Sequence, residues 1–293
     1  MSHSLRRAGR GLAASLVLAV PYGPGVDIAS LAFRTDLALL ALAGSEVDDQ
    51  GSHVVVRTRD NPGFRWGNFH LLAHPPRPDE VDATLARYDA DFPDSAHRTF
   101  GIDGTADQAQ LVQPLVAAGL NAESATVMTA TSVNPPPRPN AEAVYRQLDT
   151  DDDWSQRIAL SVSVDSEEAA QEGYLAYATQ RADADRSLCE AGHAVWWGAF
   201  VDGQLASVMG LVDAGEGLAR YQSVETHVNH RGRGLAGTLV HRVATYGVEE
   251  MGARILVMVA DPDYLAIRIY RSVGFQDTET QTMLEQKDRT SES

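Results

Sequence analysis

The segment Arg231-Gly232-Arg233-Gly234-Leu235-Ala236-Gly237 lies between a strand pattern and a helix pattern. Glycine lets a backbone approach a ligand closely, and the open N–H groups of a helix start attract anions. Such a turn can hold phosphate. Gly232, Gly234 and Gly237 spell G-x-G-x-x-G, the dinucleotide-binding pattern, and Asp261 supplies an acid after the next strand. Only 56 residues (293 − 237) follow Gly237, too few for the remaining strands of that fold. The preceding strand also alternates in polarity through Tyr221, Ser223, Glu225 and His227, where a dinucleotide fold needs an apolar first strand. The dinucleotide reading is therefore excluded.

Other reactive side chains carry less. Cys189 stands beside Glu190, which disfavours a thiolate nucleophile. The nine histidines are scattered without metal-ligand spacing, so no metal is implied. Trp196 and Trp197 straddle a strand, which places one in the core and leaves the other as a cleft-wall candidate. Asp261 and Asp263 read as caps at a helix start.

The elements that must position the turn follow from hydrophobic periodicity. Before it, Val195–Val201 and Leu205–Val212 flank Asp202-Gly203, a strong hairpin signal, and a strand runs from Leu218 to Val228. After it come a helix over Leu235–Met251, with Leu235, Leu239, Val243 and Tyr246 on one stripe, and a strand over Arg254–Ala260. A helix over Asp263–Ser272 and a strand near Thr280–Glu285 complete this half. Asp152 is expected to cap a helix through Trp154, and a second helix covers Ala169–Ala182. Asn134-Pro135-Pro136-Pro137-Arg138-Pro139 is extended, because proline fixes φ and lacks a donor, and it marks the domain boundary. Upstream, strands are expected at Val54–Val56, Phe69–Ala73, Arg98–Ile102 and Ala125–Ala130, with helices at Asp79–Phe92 and Gln108–Ala118.

A slide of 155 residues (274 − 119) sets Gly119-Leu120 on Gly274-Phe275 and the Asp79 helix on the Gly234 helix. The two halves read as distant copies. Under this slide Arg231 falls on Pro76, Gly234 on Asp79 and Tyr270 on Leu115. The N-terminal copy would thus lack donors and glycine where a phosphate turn needs them.

Composition sets outer bounds. The chain has 293 residues, 44% hydrophobic and 22% charged, enough for about two domains. Its net charge of −16 argues against nucleic acid and anionic membranes, and suits a cationic or amine substrate. Lys287 is the only lysine, and the single cysteine excludes an internal disulfide. Arg6, Arg7 and Arg10 precede a short apolar run from Leu12 to Val20. Pro21 ends it far short of the ~20 residues of a membrane span. The pattern resembles a secretory signal, but no Ala-x-Ala-like site follows promptly. Residues 1–32 are therefore read as an extension, disordered or added by a start codon placed too early, outside the fold of a cytoplasmic protein.

Arg231, Gly234 and Ala236 resemble the R-x-x-G-x-G/A signature of the GNAT acyltransferase superfamily. Ala266, Tyr270 and Gly274-Phe275 are similar to that family's N-x-x-A-x-x-x-Y-x-x-x-G-F ending, with Asp263 in the asparagine position. The Ala219–His227 stretch, with Asn61-Pro62 and Trp66-Gly67-Asn68, also resembles an uncharacterised two-part GNAT subgroup, with Trp66 and Asn68 possible wall residues of the substrate cleft. The resemblance implies an α/β (α+β) mixed sheet in tandem GNAT-like folds. These are a degenerate one over 33–133, a linker over 134–140, an intact acetyltransferase domain over 141–287 and a tail over 288–293.

It further implies that an acetyl group passes from acetyl-CoA to an amine by direct attack in a ternary complex, without a metal. The backbone of Thr226, His227 and Val228 would hold the pantetheine arm. The turn formed by Arg231, Gly232, Arg233, Gly234, Leu235, Ala236 and Gly237 would hold the pyrophosphate, and Tyr270 would protonate the departing thiolate. Glu225, near the end of the strand leading into the turn, is the general-base candidate, with His227 its rival; a solvated strand face explains both equally well. The competing reading is a non-catalytic acyl-CoA-binding regulatory module.

Overall fold

The computed structural model describes residues 27–164, 173–264 and 266–286. The basic and apolar stretch within residues 1–26 and the tail at 287–293 lie outside the described residues. The fold begins earlier than residue 33. Helix α1 (Leu31–Leu42) is capped by Ser30, whose hydroxyl accepts from the Phe33 amide. Asp103 accepts the Ala29 and Ser30 amides at 2.8 and 3.0 Å, and Ile28 is buried.

The remaining elements are β1 (Glu46–Asp49), β2 (His53–Arg57), β3 (Phe69–Leu72), α2 (Val81–Asp91), β4 (Arg98–Ile102), α3 (Gln113–Ala117) and β5 (Asn121–Ala130). Then come β6 (Val144–Gln147), α4 (Asp151–Val164), α5 (Tyr174–Glu190), β7 (Ala194–Val201), β8 (Gln204–Gly215) and β9 (Leu218–Thr226). The last described elements are α6 (Leu235–Glu249), β10 (Ile255–Ala260), α7 (Ile267–Ser272) and β11 (Gln276–Gln286). The hairpin signal holds: Asp202 and Gly203 have φ of 51° and 81°, the left-handed pair that a two-residue turn needs. Helix α3 is much shorter than Gln108–Ala118, since Pro114 restricts it to its first turn and a positive-φ Gly119 follows. Asp152 lies inside α4. Thr150 caps that helix by accepting the Asp153 amide at 3.1 Å. The described part of the second helix starts at Tyr174 and runs on to Glu190; residues 169–172 lie outside the described residues.

The eleven strands among the described residues form one mixed sheet in the order β1-β2-β3-β4-β11-β5-β10-β9-β8-β7-β6. The elements α1-β1-β2-β3-α2-β4-α3-β5 recur in the same order as α5-β7-β8-β9-α6-β10-α7-β11. Each series has one parallel pair, β3·β4 and β9·β10, crossed over by α2 and α6 respectively. The strands β5 and β11 start 155 residues apart (276 − 121), the separation read from sequence. Their placement was not foreseen. β11 pairs with β4 and β5, while β5 pairs with β10 and β11, so each series lends its last strand to the other. The proline-rich segment therefore does not divide two separate sheets.

Strand alternation places packed side chains on both faces. On β8, Met209 and Leu211 meet α6, whereas Leu205, Val208 and Val212 meet α4 and α5. Leu235, Leu239 and Val243 of α6 are buried as the stripe requires. Truncating Leu239 to Ala would cost roughly 2–5 kcal/mol.

Candidate functional site

Strands β9 and β10 pair only from Leu218/Ile255 to Arg220/Val257. Beyond that point β9 runs on to Thr226 and β10 to Ala260 without a ladder between them. The gap leads to a cavity of about 560 Å³ bounded by the end of β9, the glycine turn, the start of α6 and the α7 side. Gly232 and Gly234 hold φ of 74° and 78°, and helix α6 starts directly from Gly234. Among the described residues, the N–H groups from Gly232 to Gly237 have no hydrogen-bond acceptor. They are the open donors of a helix start facing a cavity, the arrangement that binds phosphate.

The structure sorts the expected site residues. Thr226, Arg231, Gly232, Gly234, Leu235, Ala236 and Gly237 line the cavity. His227, Val228 and Arg233 do not. His227 turns its Nδ1 to accept the Asn229 amide at 3.2 Å, and Val228 is exposed. Arg233 is drawn away by Glu142 at 2.7 Å and by His230 at 3.1 Å. Arg231 folds back to donate to the Thr226 carbonyl at 3.2 Å, while the Thr226 hydroxyl meets Ser207 at 2.8 Å.

Glu225 faces the cavity from β9 and accepts the Ser161 hydroxyl at 2.7 Å. Behind it lies a charged cluster on α4 and α5. Buried Arg157 is ion-paired with Asp185, whose carboxyl burial pushes up to about 6 although Arg157 and Arg181 oppose the shift. The negative charge of Glu225 adds to that rise. A carboxylate held by a hydroxyl at a cavity wall can accept a proton from an entering ammonium group.

Tyr270 is 5% exposed and packs with Tyr221, Leu239 and Phe275, outside the residues that line the cavity. Burial pushes its hydroxyl well above the ordinary tyrosine range, which keeps it protonated. Tyr264, exposed and on the cavity wall, was not foreseen; an aromatic between Asp261 and the Ala266 motif was the available signal. Pro136, Pro137 and Arg138 also line the cavity. Proline content predicts an extended segment but says nothing of what it lies against. A Cβ on Gly234 would collide with the Arg138 carbonyl oxygen, so this glycine is required by the covering segment as well as by its φ.

Several other expectations change. Trp196 is in the core as expected, but Trp197 packs on Tyr246 with ring centroids 5.6 Å apart and does not line the cavity beside the glycine turn. Asp261 accepts the Asp263 amide at 2.8 Å in a turn ahead of α7 rather than capping it. Asn68 is a structural turn residue, donating to the Asn61 and Phe64 carbonyls and accepting the Thr58 amide, and Trp66 packs on Phe69. Burial, more than the neighbouring Glu190, pushes the Cys189 thiol up to about 11, which keeps it protonated at neutral pH. The histidines are not all scattered, because His53 and His70 converge on Asp91.

Residues 161–275 match the Acetyltransferase (GNAT) family. This stretch is a GNAT acetyltransferase domain. The GNAT domain thus contains Glu225, the glycine turn and Tyr270. Solved GNAT structures share the fold over most of the chain. A GCN5-related N-acetyltransferase from Kribbella flavida is 17% identical with a TM-score of 0.64, covering 89% of this chain and 97% of that one. Its counterpart from Sphaerobacter thermophilus is 16% identical with a TM-score of 0.56, covering 88% and 94%. A tandem GNAT protein from the clavulanic acid biosynthesis pathway is 16% identical with a TM-score of 0.53, covering 90% of each chain. At these identities the likeness is one of fold. No curated protein matches the sequence. Among the described residues, no helix is long and apolar enough to cross a membrane.

Proposed function

We propose that the chain is a cytoplasmic N-acetyltransferase that moves an acetyl group from acetyl-CoA to an amine by direct attack in a ternary complex. The observation that carries this reading is the parting of β9 from β10 beside a turn of open amides, all within the GNAT domain. The amides of Gly232 to Gly237 grip the pyrophosphate, and the pantetheine arm lies in the gap along Val224–Thr226. Glu225, oriented by Ser161, takes the proton that the amine must lose. Once the thioester carbonyl is attacked, the tetrahedral centre collapses and the thiolate leaves with a proton from Tyr270.

The N-terminal series is a degenerate copy in a tandem arrangement. Its elements repeat in order, but Pro78 opens the turn ahead of α2, and Leu115, fully buried on α3, replaces the tyrosine. It packs on the acetyltransferase domain and binds no acetyl-CoA.

One observation favours the alternative of a non-catalytic acyl-CoA-binding module, namely the burial of Tyr270 away from the cavity lining. Calorimetry with acetyl-CoA followed by thiol release over polyamines, aminoglycosides, amino acids and peptide N-termini separates the two. Acetylation of any amine, with one acetyl-CoA site per chain, supports the enzyme. Binding without turnover on the whole panel supports the module.

A further inference from the structure

We propose that His53, His70 and Asp91 form a site for one borderline divalent cation, with zinc the best fit, in the N-terminal series. His53 on β2 and His70 on β3 lie on one face of the antiparallel pair, diagonal across the register in which His53 faces Leu72 and Val55 faces His70. Asp91 closes the set from the last turn of α2. One ligand atom from each residue lies within 4.8 Å of the other two. Two imidazole nitrogens and a carboxylate oxygen are a zinc-type donor set.

Two of the three residues, His53 and Asp91, have the outer-shell partners that ligands usually have, whereas His70 Nδ1 is buried without one. His53 Nδ1 meets the Ser52 hydroxyl at 3.0 Å, which leaves Nε2, a buried nitrogen with no hydrogen-bond partner. Arg57 holds Asp91 Oδ1 at 2.6 Å, and the other oxygen lies 3.0 Å from His70 Nε2. Ligand atoms on a tetrahedral zinc are about 3.3 Å apart, so this pair already has the spacing and His53 must swing inward to complete it. His70 is wholly buried among Tyr88, Phe92 and Phe100, with ring centroids 5.1, 5.6 and 6.0 Å away. That apolar shell disfavours a charged imidazolium and so suits the neutral imidazole that ligates. A buried ring nitrogen without a partner costs free energy comparable to a lost hydrogen bond, which a bound cation would recover. Asp91 is half-buried, so the cation has a way in.

The site lies apart from the glycine turn and would tie β2, β3 and α2 together without taking part in acetyl transfer. The test uses the full-length protein, stripped with a chelator and titrated with Co²⁺, then with Zn²⁺ as competitor. The expected result is one equivalent of Co²⁺ with a four-coordinate absorption spectrum, displaced by Zn²⁺. A thermal midpoint raised by roughly 5 °C at a hundredfold excess of Zn²⁺ over its dissociation constant should accompany it. His53→Gln and Asp91→Asn should each weaken Co²⁺ binding at least tenfold. Folded wild-type protein that takes up no Co²⁺ overturns the proposal, and so does undiminished binding in both variants. Because the readouts are spectral and thermal, they stand whether or not acetylation is found.

Discussion

Asn140 ties the proline-rich segment to the helix start beneath it, its backbone amide donating to the Thr238 hydroxyl at 2.8 Å. Its side-chain amide donates to the Arg233 carbonyl at 3.0 Å, so the segment is pinned on both sides of Gly234. Gly234 is therefore a poor probe of ligand binding. Gly234→Val would collide with the Arg138 backbone and force a β-branched residue to positive φ. The expected outcome is a loss of several kcal/mol in urea unfolding.

Gly232 is the clean probe, because a Cβ there meets nothing within 4 Å. Asparagine tolerates its left-handed backbone but places a side chain in the path of a phosphate. Gly232→Asn should leave the unfolding midpoint within about 2 °C and weaken acetyl-CoA at least tenfold by calorimetry. Unchanged affinity would remove the turn from the cofactor site.

Glu225→Gln should lower turnover by ~10²–10⁴ near neutral pH, with the deficit easing at high pH as the amine loses its proton unaided. Ser161→Ala should cost only a few fold, since it removes the hydroxyl that orients Glu225 and not the base. Both are measured at saturating acetyl-CoA, so that binding losses do not enter the rate.

Tyr270→Phe should reduce turnover about 10²-fold while leaving acetyl-CoA affinity nearly intact, because the ring keeps its packing against Tyr221 and Phe275. A parallel Tyr264→Phe serves as the control on the cavity wall. If turnover falls only in the Tyr264 variant, the proton comes from there.

Asp153 gives the protein a defined acid limb. Arg146 bonds it twice, at 2.6 and 2.7 Å, and the Asp149 and Thr150 amides donate to it at 3.0 Å. The Arg146 guanidinium, with these donors, holds its carboxyl well below the usual carboxylate range. The stabilisation is present above the unfolded value near ~3.9 and fades as pH falls below it. Asp153→Asn should cost about 2–3 kcal/mol in urea unfolding at pH 7, a difference that shrinks below pH 4.

What the sequence revealed was local. Asp202-Gly203 announced its hairpin because only certain residues accept that backbone, and the α6 stripe announced its buried face. The turn was legible as Arg231 to Gly237 because glycine spacing and a helix start are properties of adjacent residues. Non-local pairings were not legible. Nothing near Asn121 or Gln276 says that β5 and β11 trade partners, since both strands start in exposed residues that name no neighbour. The Pro136–Arg138 cover over Gly234 was hidden for the same reason. His53, His70 and Asp91 escaped notice because they meet only through strand register. The short strands β1 and β6 at the sheet edges were missed because half-exposed four-residue strands carry too little pattern.

The exchange of β5 and β11 bears on how the chain is made. Strand β4 emerges from the ribosome early, yet β11 is its neighbour on the side away from β3. During synthesis that edge stays open until β11 has been translated, and an open edge recruits foreign strands. The N-terminal series cannot finish as a vectorial folding unit, and the fragment 141–286 lacks every strand that pairs with β11. The N-terminal series therefore completes its sheet only once β11 is available to pair with β4 and β5.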